Sequence, residues 1–409
     1  MKVTIERLGH LGDGIAPGPI FVPQTLPGEV VEGDVVGNAL PAPKIITPSA
    51  DRVRAPCSHY RTCGGCGLQH ATDGFVAAWK AEVVRDALLG QGLEAPMRPI
   101  STSPERSRRR AALAGRRTKK GVILGFHGRA SDTVVSVPEC HLLHPDLIAA
   151  FPALEAFVLA GATRKSEVTL TVTKSESGID VAVTGGKPLD SALQRELGGL
   201  IEASGFARLT WDGEQVALRA PPYQRFGRAL VTPPPGAFLQ ATVEGEAALL
   251  AAVAEALGDS RSVVDLFAGC GTFSLPVSER AEVHAVEGES AMLAALDRGW
   301  RGASGLKRVT TETRDLFRRP LLADELARFD AAVIDPPRAG AEAQICELAR
   351  STIPVIAMVS CNPVTFARDA RALVNAGYQL EWVQPVDQFR WSPHVEIASR
   401  FSRRTLPRN

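Results

Sequence analysis

The sequence lacks a long hydrophobic run and carries almost no net charge. Its first residues, MKVTIERLGHLGDG, contain charges and glycines where a secretion signal has a continuous apolar segment. No later stretch reaches the roughly 18 apolar residues of a membrane-spanning helix. We therefore expect a cytoplasmic protein that makes no membrane contact. The formal net charge of +1 excludes no class of partner, because equal totals of acid and base can hide local asymmetry.

The sequence also lacks the even number of cysteines that a fully paired disulfide framework needs. The chain has seven cysteines, and three of them lie in CSHYRTCGGCGLQH, residues 57–70. Such a cluster fits a metal site, a disulfide or catalysis. An odd number of cysteines in a reducing compartment does not suggest a disulfide framework, so metal binding or catalysis is favoured.

The chain is long enough for several domains. Its 409 residues, of which 45% are hydrophobic, suit two or three domains. Residues 1–50 alternate short apolar runs with glycine and proline signals, which predicts a small β-barrel. Residues 51–235 contain two hairpin patterns, which predicts a mixed domain built largely of strands. Residues 236–409 alternate strand-like and helical segments, which predicts a parallel sheet covered on both faces and finished by a hairpin.

A helix is predicted at residues 73–90, and we expect it to pack on the C-terminal domain. Asp73 is positioned to cap this helix, and Phe75, Trp79 and Val83 follow at four-residue spacing. This spacing predicts one apolar stripe that packs on a core and has no chemistry of its own.

Basic residues are concentrated in one segment. Residues 98–129 hold ten Lys or Arg, including RSRRR and RRTKK, against the single acid Glu105. Such a run is usually a solvated face, but this one continues into a predicted hairpin. Display on folded structure favours a phosphate-binding surface.

The segment DLFAGCGTF, residues 265–273, follows an apolar strand and contains Gly269 and Gly271. Glycines at this position let the backbone pass close to a ligand at the carboxyl edge of the sheet. Glu287 ends the next strand, where a carboxylate can accept both hydroxyls of a ribose. The third glycine of a dinucleotide-binding loop is absent, so the loop fits S-adenosylmethionine better than NAD.

Two motifs, IDPPRAG and VSCNP, end later strands at the same predicted edge. Cys361 in VSCNP precedes an Asn-Pro turn, which should present its sulfur at the edge. Methyl transfer to oxygen or nitrogen needs no thiol, whereas carbon 5 of uracil becomes nucleophilic only after a thiolate adds at carbon 6. A general base must then remove the proton at carbon 5. Glu396, in WSPHVEIAS, fits that role.

With chemistry assigned to Cys361, metal binding is the remaining interpretation of the cysteine cluster. Cys57, Cys63 and Cys66 have Cys140, in VPECHLLHP, as a distant fourth partner. Four thiolates could hold zinc or an iron–sulfur cluster, and the spacing does not separate the two.

The chain resembles the RNA uracil-5-methyltransferases. The resemblance rests on FLQ (238–240), DLFAGCGTF, VEG, DPPRAG, VSCNPVTFARD and HVE, in that order. The first 50 residues, with GDGIAPGPIFVPQTLPGE, look like a TRAM domain, an RNA-binding barrel of the OB type. The resemblance implies an α/β fold with a C-terminal Rossmann-like class I methyltransferase domain, an N-terminal OB-like barrel and an iron–sulfur-containing mixed α+β middle domain.

The resemblance also implies residue roles. Cys361 would be the nucleophile and Glu396 the general base. Together with the loop glycines Gly269 and Gly271, the residues around S-adenosylmethionine or the flipped uridine would be Gln240, Phe267, Thr272, Glu287, Asp315 and Asp335. CGGC followed by QH, with a remote cysteine, looks like the family's [4Fe-4S] site. That implies Cys57, Cys63, Cys66 and Cys140 as ligands, with His59 and His70 as neighbours.

The resemblance favours 23S rRNA as the substrate, because bacterial tRNA-modifying members typically lack the barrel and the cysteine cluster. The alternatives are a tRNA substrate, or a non-catalytic RNA-binding protein that uses its cluster as a sensor. The target base must be single-stranded or swung out of its helix. The barrel, the segment 98–129 and the tail RFSRRTLPRN are candidates for binding RNA. We expect a monomer.

Overall fold

The N-terminal segment forms two small sheets. The fold is that of a computed structural model, which describes residues 1–403. The two sheets have three strands each, in the orders β1-β5-β6 and β2-β3-β4. Val3, Ile5, Val22, Val31 and Leu40 form their shared core, which is consistent with the predicted barrel. The strands are β1 (Lys2–Thr4), β2 (Arg7–Leu8), β3 (Gly14–Ala16), β4 (Ile20–Val22), β5 (Val30–Glu32) and β6 (Lys44–Thr47).

The middle of the chain forms a seven-stranded sheet in the order β10-β9-β8-β11-β12-β13-β14. Both predicted hairpins are present, since β9 pairs antiparallel with β10 and β11 with β12. The elements from Asp73 to Val231 are α1 (Asp73–Leu89), β7 (Ser101–Thr102), β8 (Arg110–Arg117), β9 (Val122–His127), β10 (Val134–Ser136), α2 (Pro145–Ala149), α3 (Phe151–Gly161), β11 (Glu167–Ser175), β12 (Gly178–Thr184), α4 (Ser191–Ser204), β13 (Arg208–Trp211), β14 (Glu214–Leu218), β15 (Gln224–Phe226) and β16 (Ala229–Val231).

The C-terminal segment, together with β7 from the middle of the chain, forms an eight-stranded sheet in the order β19-β18-β17-β20-β21-β23-β22-β7. Strands β17 to β21 are parallel, and β23 pairs antiparallel with both β21 and β22. This confirms the predicted doubly wound sheet with a terminal hairpin. Its elements are α5 (Val243–Leu257), β17 (Ser262–Leu266), α6 (Ser274–Val277), β18 (Glu282–Glu287), α7 (Ser290–Gly302), β19 (Val309–Thr313), α8 (Ala323–Leu326), β20 (Ala331–Ile334), α9 (Glu342–Arg350), β21 (Val355–Ser360), α10 (Pro363–Asn375), β22 (Gln379–Asp387) and β23 (Glu396–Ser402).

Two further findings concern membrane-spanning helices and the C-terminal tail. Within residues 1–403, no helix is long and apolar enough to cross a membrane. Residues 404–409 of the tail RFSRRTLPRN lie outside the described residues, so the expected RNA contact there stays a prediction.

Helix α1 buries a different face from the one predicted. Its buried side chains are Val76, Lys80, Val84 and Leu88, one residue beyond the predicted stripe. Thr72 rather than Asp73 caps the helix, because its hydroxyl accepts the N–H of Phe75 at 3.3 Å. The predicted stripe Phe75, Trp79 and Val83 is half-buried and lines an open cleft. Phe75 and Trp79 also pack against a small core that contains Leu26 and Leu68. The stripe therefore packs on a core as predicted, and helical periodicity alone could not show that it also borders a cleft.

Two arginines of RSRRR, Arg109 and Arg110, make internal contacts and are not the exposed surface that their charge suggested, whereas Arg106 is exposed. Arg109 is 6% exposed, donates to the carbonyl of Gln240 at 3.1 Å and pairs with Glu246. Arg110 donates to the carbonyls of Ala237 and Gly236 at 3.0 and 2.9 Å. Buried carbonyls need donors, and these guanidinium groups supply them to the chain just before α5. They join the middle and C-terminal segments.

A buried ion pair attaches α1 to the C-terminal sheet. Lys80 and Asp387 lie 2.5 Å apart, and their side chains are 0% and 1% exposed. Lys80 also donates to the carbonyl of Phe389 at 3.1 Å. Burial lowers the pKa of Lys80 and raises that of Asp387. Each charge therefore depends on its partner to remain in the interior.

Replacing Lys80 with methionine should leave the Asp387 carboxyl buried without its partner. Removing one member of a buried pair destabilises a protein by about 3–5 kcal/mol, so calorimetry should show a lower unfolding midpoint. Because the loss of Lys80 raises the pKa of Asp387 further, the folded variant takes up a proton as the pH falls, and the deficit shrinks.

Arg350→Ala is the control for this variant. It removes an exposed pair with Glu347, 2.9 Å long, and should cost about 0–1 kcal/mol. Equal losses in the two variants would contradict a special contribution of the buried pair.

Candidate active site

The candidate catalytic residues lie where the parallel strands end. Asp335 follows β20 and Cys361 follows β21, whereas Glu396 is the first residue of β23. Strand β23 runs antiparallel to β21, with Ser360 paired to Ile397. One further step along this register sets Cys361 opposite Glu396. The sheet therefore brings a thiol and a carboxyl together from separate motifs.

The charges of these groups influence one another. Burial, followed by the charges of Glu396 and Asp335, raises the pKa of Cys361 to about 12. Burial raises the pKa of Glu396 to about 7. Burial and then the charge of Glu396 raise the pKa of Asp335. Arg338 opposes these effects, because its positive charge lowers the pKa of both Cys361 and Glu396.

The loop after β17 has the backbone geometry of a ligand-binding turn. Gly269 and Gly271 have φ of +55° and +93°, a region that residues with a side chain rarely adopt. The Glu287 carboxylate accepts the N–H of Gly269 at 3.0 Å. Phe267 forms an aromatic pair with Phe317, with 5.4 Å between ring centroids. A carboxylate and an aromatic surface thus flank the loop.

The other predicted cofactor residues lie in different surroundings. Gln240 donates to the Asp335 carboxylate at 3.4 Å, beside Cys361. Thr272 is half-buried in the glycine loop. Asp315 is exposed, and its carboxylate accepts the N–H of Phe317 at 3.0 Å. Asp315 therefore holds a turn after β19 and positions an aromatic ring.

Sequence reasoning missed three residues of this site. Gln388 lies buried against Gln240, with no motif to indicate it. Arg338 belongs to DPPRAG and could have been singled out as the cation beside the thiol. Asp265 accepts the hydroxyl of Ser274 at 2.5 Å, and burial raises its pKa to about 7. Its position in an apolar strand, directly before the glycine loop, was the available signal.

An open cleft of about 690 Å³ leads to Cys361. We call it the central cleft. The N-terminal sheets, helix α1 and the C-terminal domain each contribute a wall. Its lining includes Arg7, His10, Phe75, Trp79, Arg338, Cys361 and His394. The candidate nucleophile is therefore accessible to a large substrate.

The clustered cysteines share a second, enclosed cavity. Cys57, Cys63, Cys66 and Cys140 all line it, together with Arg108. Neither His59 nor His70 belongs to its lining within the described residues. The N–H groups of Gly65 and Leu142 each point at a cysteine sulfur, Cys63 and Cys140 respectively, at 3.4 Å.

The metal prediction has no direct support. Among residues 1–403, no group of three or more His, Cys, Asp or Glu side chains is arranged to hold a metal ion. The shared cavity brings the four predicted ligands to one place without forming such a group. The iron–sulfur ligand set therefore stays a prediction.

Known proteins resemble this chain over almost its whole length. A family model described as tRNA (Uracil-5-)-methyltransferase matches residues 302–404. Uncharacterized RNA methyltransferases from Brucella suis and Caulobacter vibrioides are 44% and 45% identical, covering 97% and 98% of this chain and 97% and 99% of their own. The 23S rRNA (uracil(1939)-C(5))-methyltransferase of Halomonas elongata is 33% identical, covering 97% of this chain and 88% of its own. The chain belongs to the RNA uracil-5-methyltransferase family.

A solved member of the RNA uracil-5-methyltransferases has the same fold. It is the Pyrococcus abyssi tRNA (uracil-54, C5)-methyltransferase in complex with S-adenosyl-L-homocysteine, with a TM-score of 0.77. The match covers 98% of this chain and 99% of that one. At 22% identity the likeness concerns the fold alone. It confirms the expected Rossmann-like methyltransferase domain.

The electrostatics of Cys361 predict its reactivity. Only the thiolate is nucleophilic, and a pKa of about 12 leaves little of it at neutral pH. We therefore expect slow alkylation by iodoacetamide. Glu396→Gln removes a negative charge that raises this pKa, so alkylation of Cys361 should accelerate, by about tenfold for each pKa unit recovered.

Peptide mass spectrometry gives the rate for each cysteine. The exposed Cys346 serves as the internal reference and should react equally in both proteins. An unchanged Cys361 rate in Glu396→Gln would show that this carboxyl does not act on the thiol.

Proposed function

We propose that this chain transfers a methyl group from S-adenosylmethionine to carbon 5 of a uridine in 23S rRNA. The observation that carries the proposal is the convergence of Cys361 and Glu396 across β21 and β23, beside the central cleft. A thiol paired with a general base suits carbon 5 of uracil, which needs covalent activation. Family membership and the likeness to the 23S rRNA enzyme of Halomonas elongata support the substrate.

The two side chains would act in sequence. Cys361 first loses its thiol proton to water, a step that its raised pKa makes unfavourable at neutral pH. The thiolate then adds to carbon 6 of uracil, and the electron pair of the 5,6 double bond moves onto the carbonyl at carbon 4, so that carbon 5 becomes nucleophilic. S-adenosylmethionine, when bound, supplies the methyl group that carbon 5 takes up. The Glu396 carboxylate then removes the proton from carbon 5. The double bond re-forms, the bond between carbon 6 and sulfur breaks, and the thiolate is released.

The residues around the glycine loop fit S-adenosylmethionine. The Glu287 carboxylate keeps acceptor capacity beyond its bond from Gly269 and can take ribose hydroxyls. Phe267 and Phe317 offer an aromatic surface to adenine. Gln240 and Asp335 lie on the side nearest Cys361, where the methyl group must arrive.

The central cleft fits RNA with one base swung out. The half-buried rings of Phe75 and Trp79 on α1 can stack unpaired bases. Arg7 and His10 of the N-terminal sheets face the same cleft and suit phosphates. Extruding a base from a helix costs about a few kcal/mol, which such contacts would have to supply.

Methylation of 23S rRNA and tRNA transcripts in parallel tests the substrate. We expect 5-methyluridine in the rRNA and none in the tRNA. The 33% identity to the Halomonas elongata 23S rRNA enzyme favours rRNA, whereas the Pyrococcus abyssi enzyme carries the same overall fold and acts on tRNA, so the assay includes both substrates. Methylation of tRNA alone would overturn the rRNA assignment and leave the chemistry intact.

Two variants test the chemistry. Cys361→Ala should abolish both methylation and the covalent adduct with RNA that contains 5-fluorouridine, because no thiolate can add at carbon 6. Glu396→Gln should still form the bond to carbon 6 but release product poorly. In the wild type, kcat should rise as the pH passes through about 7, where Glu396 loses its proton. A covalent adduct in Cys361→Ala would exclude this thiol as the nucleophile.

We also propose that Cys57, Cys63, Cys66 and Cys140 hold a [4Fe-4S] cluster. The shared cavity and the N–H groups directed at Cys63 and Cys140 support it, since such donors stabilise thiolates. Each thiolate of a cubane binds a different iron, so the sulfurs need not surround a single ion. The cluster would join the segment 57–70 to the chain that follows β10.

Anaerobic purification tests the cluster. We expect a brown protein that contains iron and acid-labile sulfide, and Cys66→Ser should lose both. Cys346→Ser, at an exposed cysteine outside the cavity, should keep them. A colourless protein with bound zinc would replace the cluster with a zinc site.

A further inference from the structure

Gln388 lies between β22 and β23 and is 2% exposed. Its Oε1 accepts the N–H of Ala241 at 2.7 Å, and its Nε2 donates to Oε1 of Gln240 at 2.5 Å. Glu396 is close by, because the ladder pairs it with Val386, two residues before Gln388. A hydrogen bond from the Gln388 amide lowers the pKa of Glu396. One buried amide therefore contacts groups on both sides of the site.

The orientation of this amide is determined by its partners. A backbone N–H can only donate, so the atom facing Ala241 must be the oxygen of Gln388. The amide nitrogen then faces Gln240 and Glu396. Because Gln240 receives that bond at its oxygen, its own nitrogen is directed at Asp335, 3.4 Å away. A hydrogen-bonded chain runs from Gln388 through Gln240 to Asp335, and Glu396 lies beside the Gln388 end of that chain, opposite Val386.

Gln388 is also held in place by its surroundings. The preceding residue, Asp387, forms the buried pair with Lys80 and accepts the N–H of Phe389 at 3.0 Å. Helix α5 approaches closely, since a Cβ added at Gly245 would lie 2.6 Å from the Cβ of Gln388. The amide is therefore packed on the side of its backbone and on the side of α5.

We propose that Gln388 is a positioning residue that holds the Glu396 carboxylate for proton removal and orients Gln240 on the cofactor side of the site. The proposal rests on the function proposed above. Gln388 touches neither reacting carbon, so it acts through Glu396 and Gln240. Through Glu396, Gln388 would affect the step that breaks the bond between carbon 6 and sulfur. Through Gln240, it would affect the geometry of the cofactor pocket.

Loss of this amide has a predictable effect on protonation. Burial opposes the ionisation of Glu396, and the positive charge of Arg338 favours it. The charge of Glu396 in turn raises the pKa of Cys361 and Asp335, which face it. Gln388 adds a neutral donor to the carboxylate. Without that donor the pKa of Glu396 rises, so a higher pH is needed to form the base.

Gln388→Met tests the proposal, with Gln344→Met as the matched control. Gln344 is also fully buried and also makes two amide bonds, to the N–H and the carbonyl of Leu321 at 2.8 and 3.1 Å. It lies in α9, away from Cys361. Both variants lose two amide bonds to a neighbouring segment of the same domain, so a general loss of stability should appear in both, whereas only Gln388→Met also loses the contact with Glu396.

We expect Gln388→Met to lower kcat at pH 7 by about ten- to a hundredfold, as for the loss of a hydrogen bond to a charged group. The rise of kcat should move to higher pH, and a methylated covalent complex should accumulate on denaturing gels. KM for RNA should stay unchanged. Gln388→Asn, which keeps a shortened amide, should show the same changes to a smaller extent and serves if the methionine variant does not fold.

The outcomes separate this proposal from the proposed function. Wild-type protein that makes no 5-methyluridine would overturn the proposed function and this inference together. Active wild-type protein, with Gln388 variants whose pH profile and adduct level match those of Gln344→Met, would overturn the positioning role alone.

Discussion

Strand β23 runs antiparallel between β21 and β22, two strands that point the same way. Parallel strands deliver their last residues to the carboxyl edge of the sheet, whereas an antiparallel strand delivers its first. Glu396 therefore reaches the edge where Asp335 and Cys361 end their strands. A register slip of one residue would turn Glu396 to the opposite face of the sheet. The proximity of the proposed thiol, Cys361, to the proposed base, Glu396, depends on this register more than on any single contact between them.

The register is supported from outside the sheet. Lys80 on α1 meets Asp387 at the end of β22, and Arg109 and Arg110 hold the carbonyls around Gln240. These cations lie outside the C-terminal segment in sequence, yet their contacts end within a few residues of the candidate site. Their burial is tolerated only because each has a carboxylate or carbonyl partner. The middle of the chain thus acts as a brace for the site as well as a candidate RNA-binding surface.

The parts predicted correctly were those that a local pattern determines. Alternating strands and helices placed DPPRAG and VSCNP at strand ends, because parallel strands share one edge. Arg109 and Arg110 of RSRRR were misinterpreted, since charge alone cannot show whether a guanidinium meets solvent or a carbonyl of the chain. The stripe of Phe75 and Trp79 packs on a small core as predicted, but its periodicity could not show that it also lines the central cleft. Gln388 had no signal at all, because its contacts come from segments that meet only in the folded chain.

The proposed chemistry needs a base whose pKa lies near neutral pH, so that it is ionised often enough to accept a proton and still binds that proton well. Burial raises the pKa of Glu396 from 4.5 to about 7, which corresponds to about 3 kcal/mol against the anion. If a cationic side chain without an acidic partner stood in place of Gln388, its charge would lower the pKa of Glu396 toward the ordinary value. The Glu396 carboxylate would then be a weaker base. The ammonium of Lys80 lies nearby, but its charge is matched by Asp387. A neutral amide can therefore orient the carboxylate while burial keeps it basic.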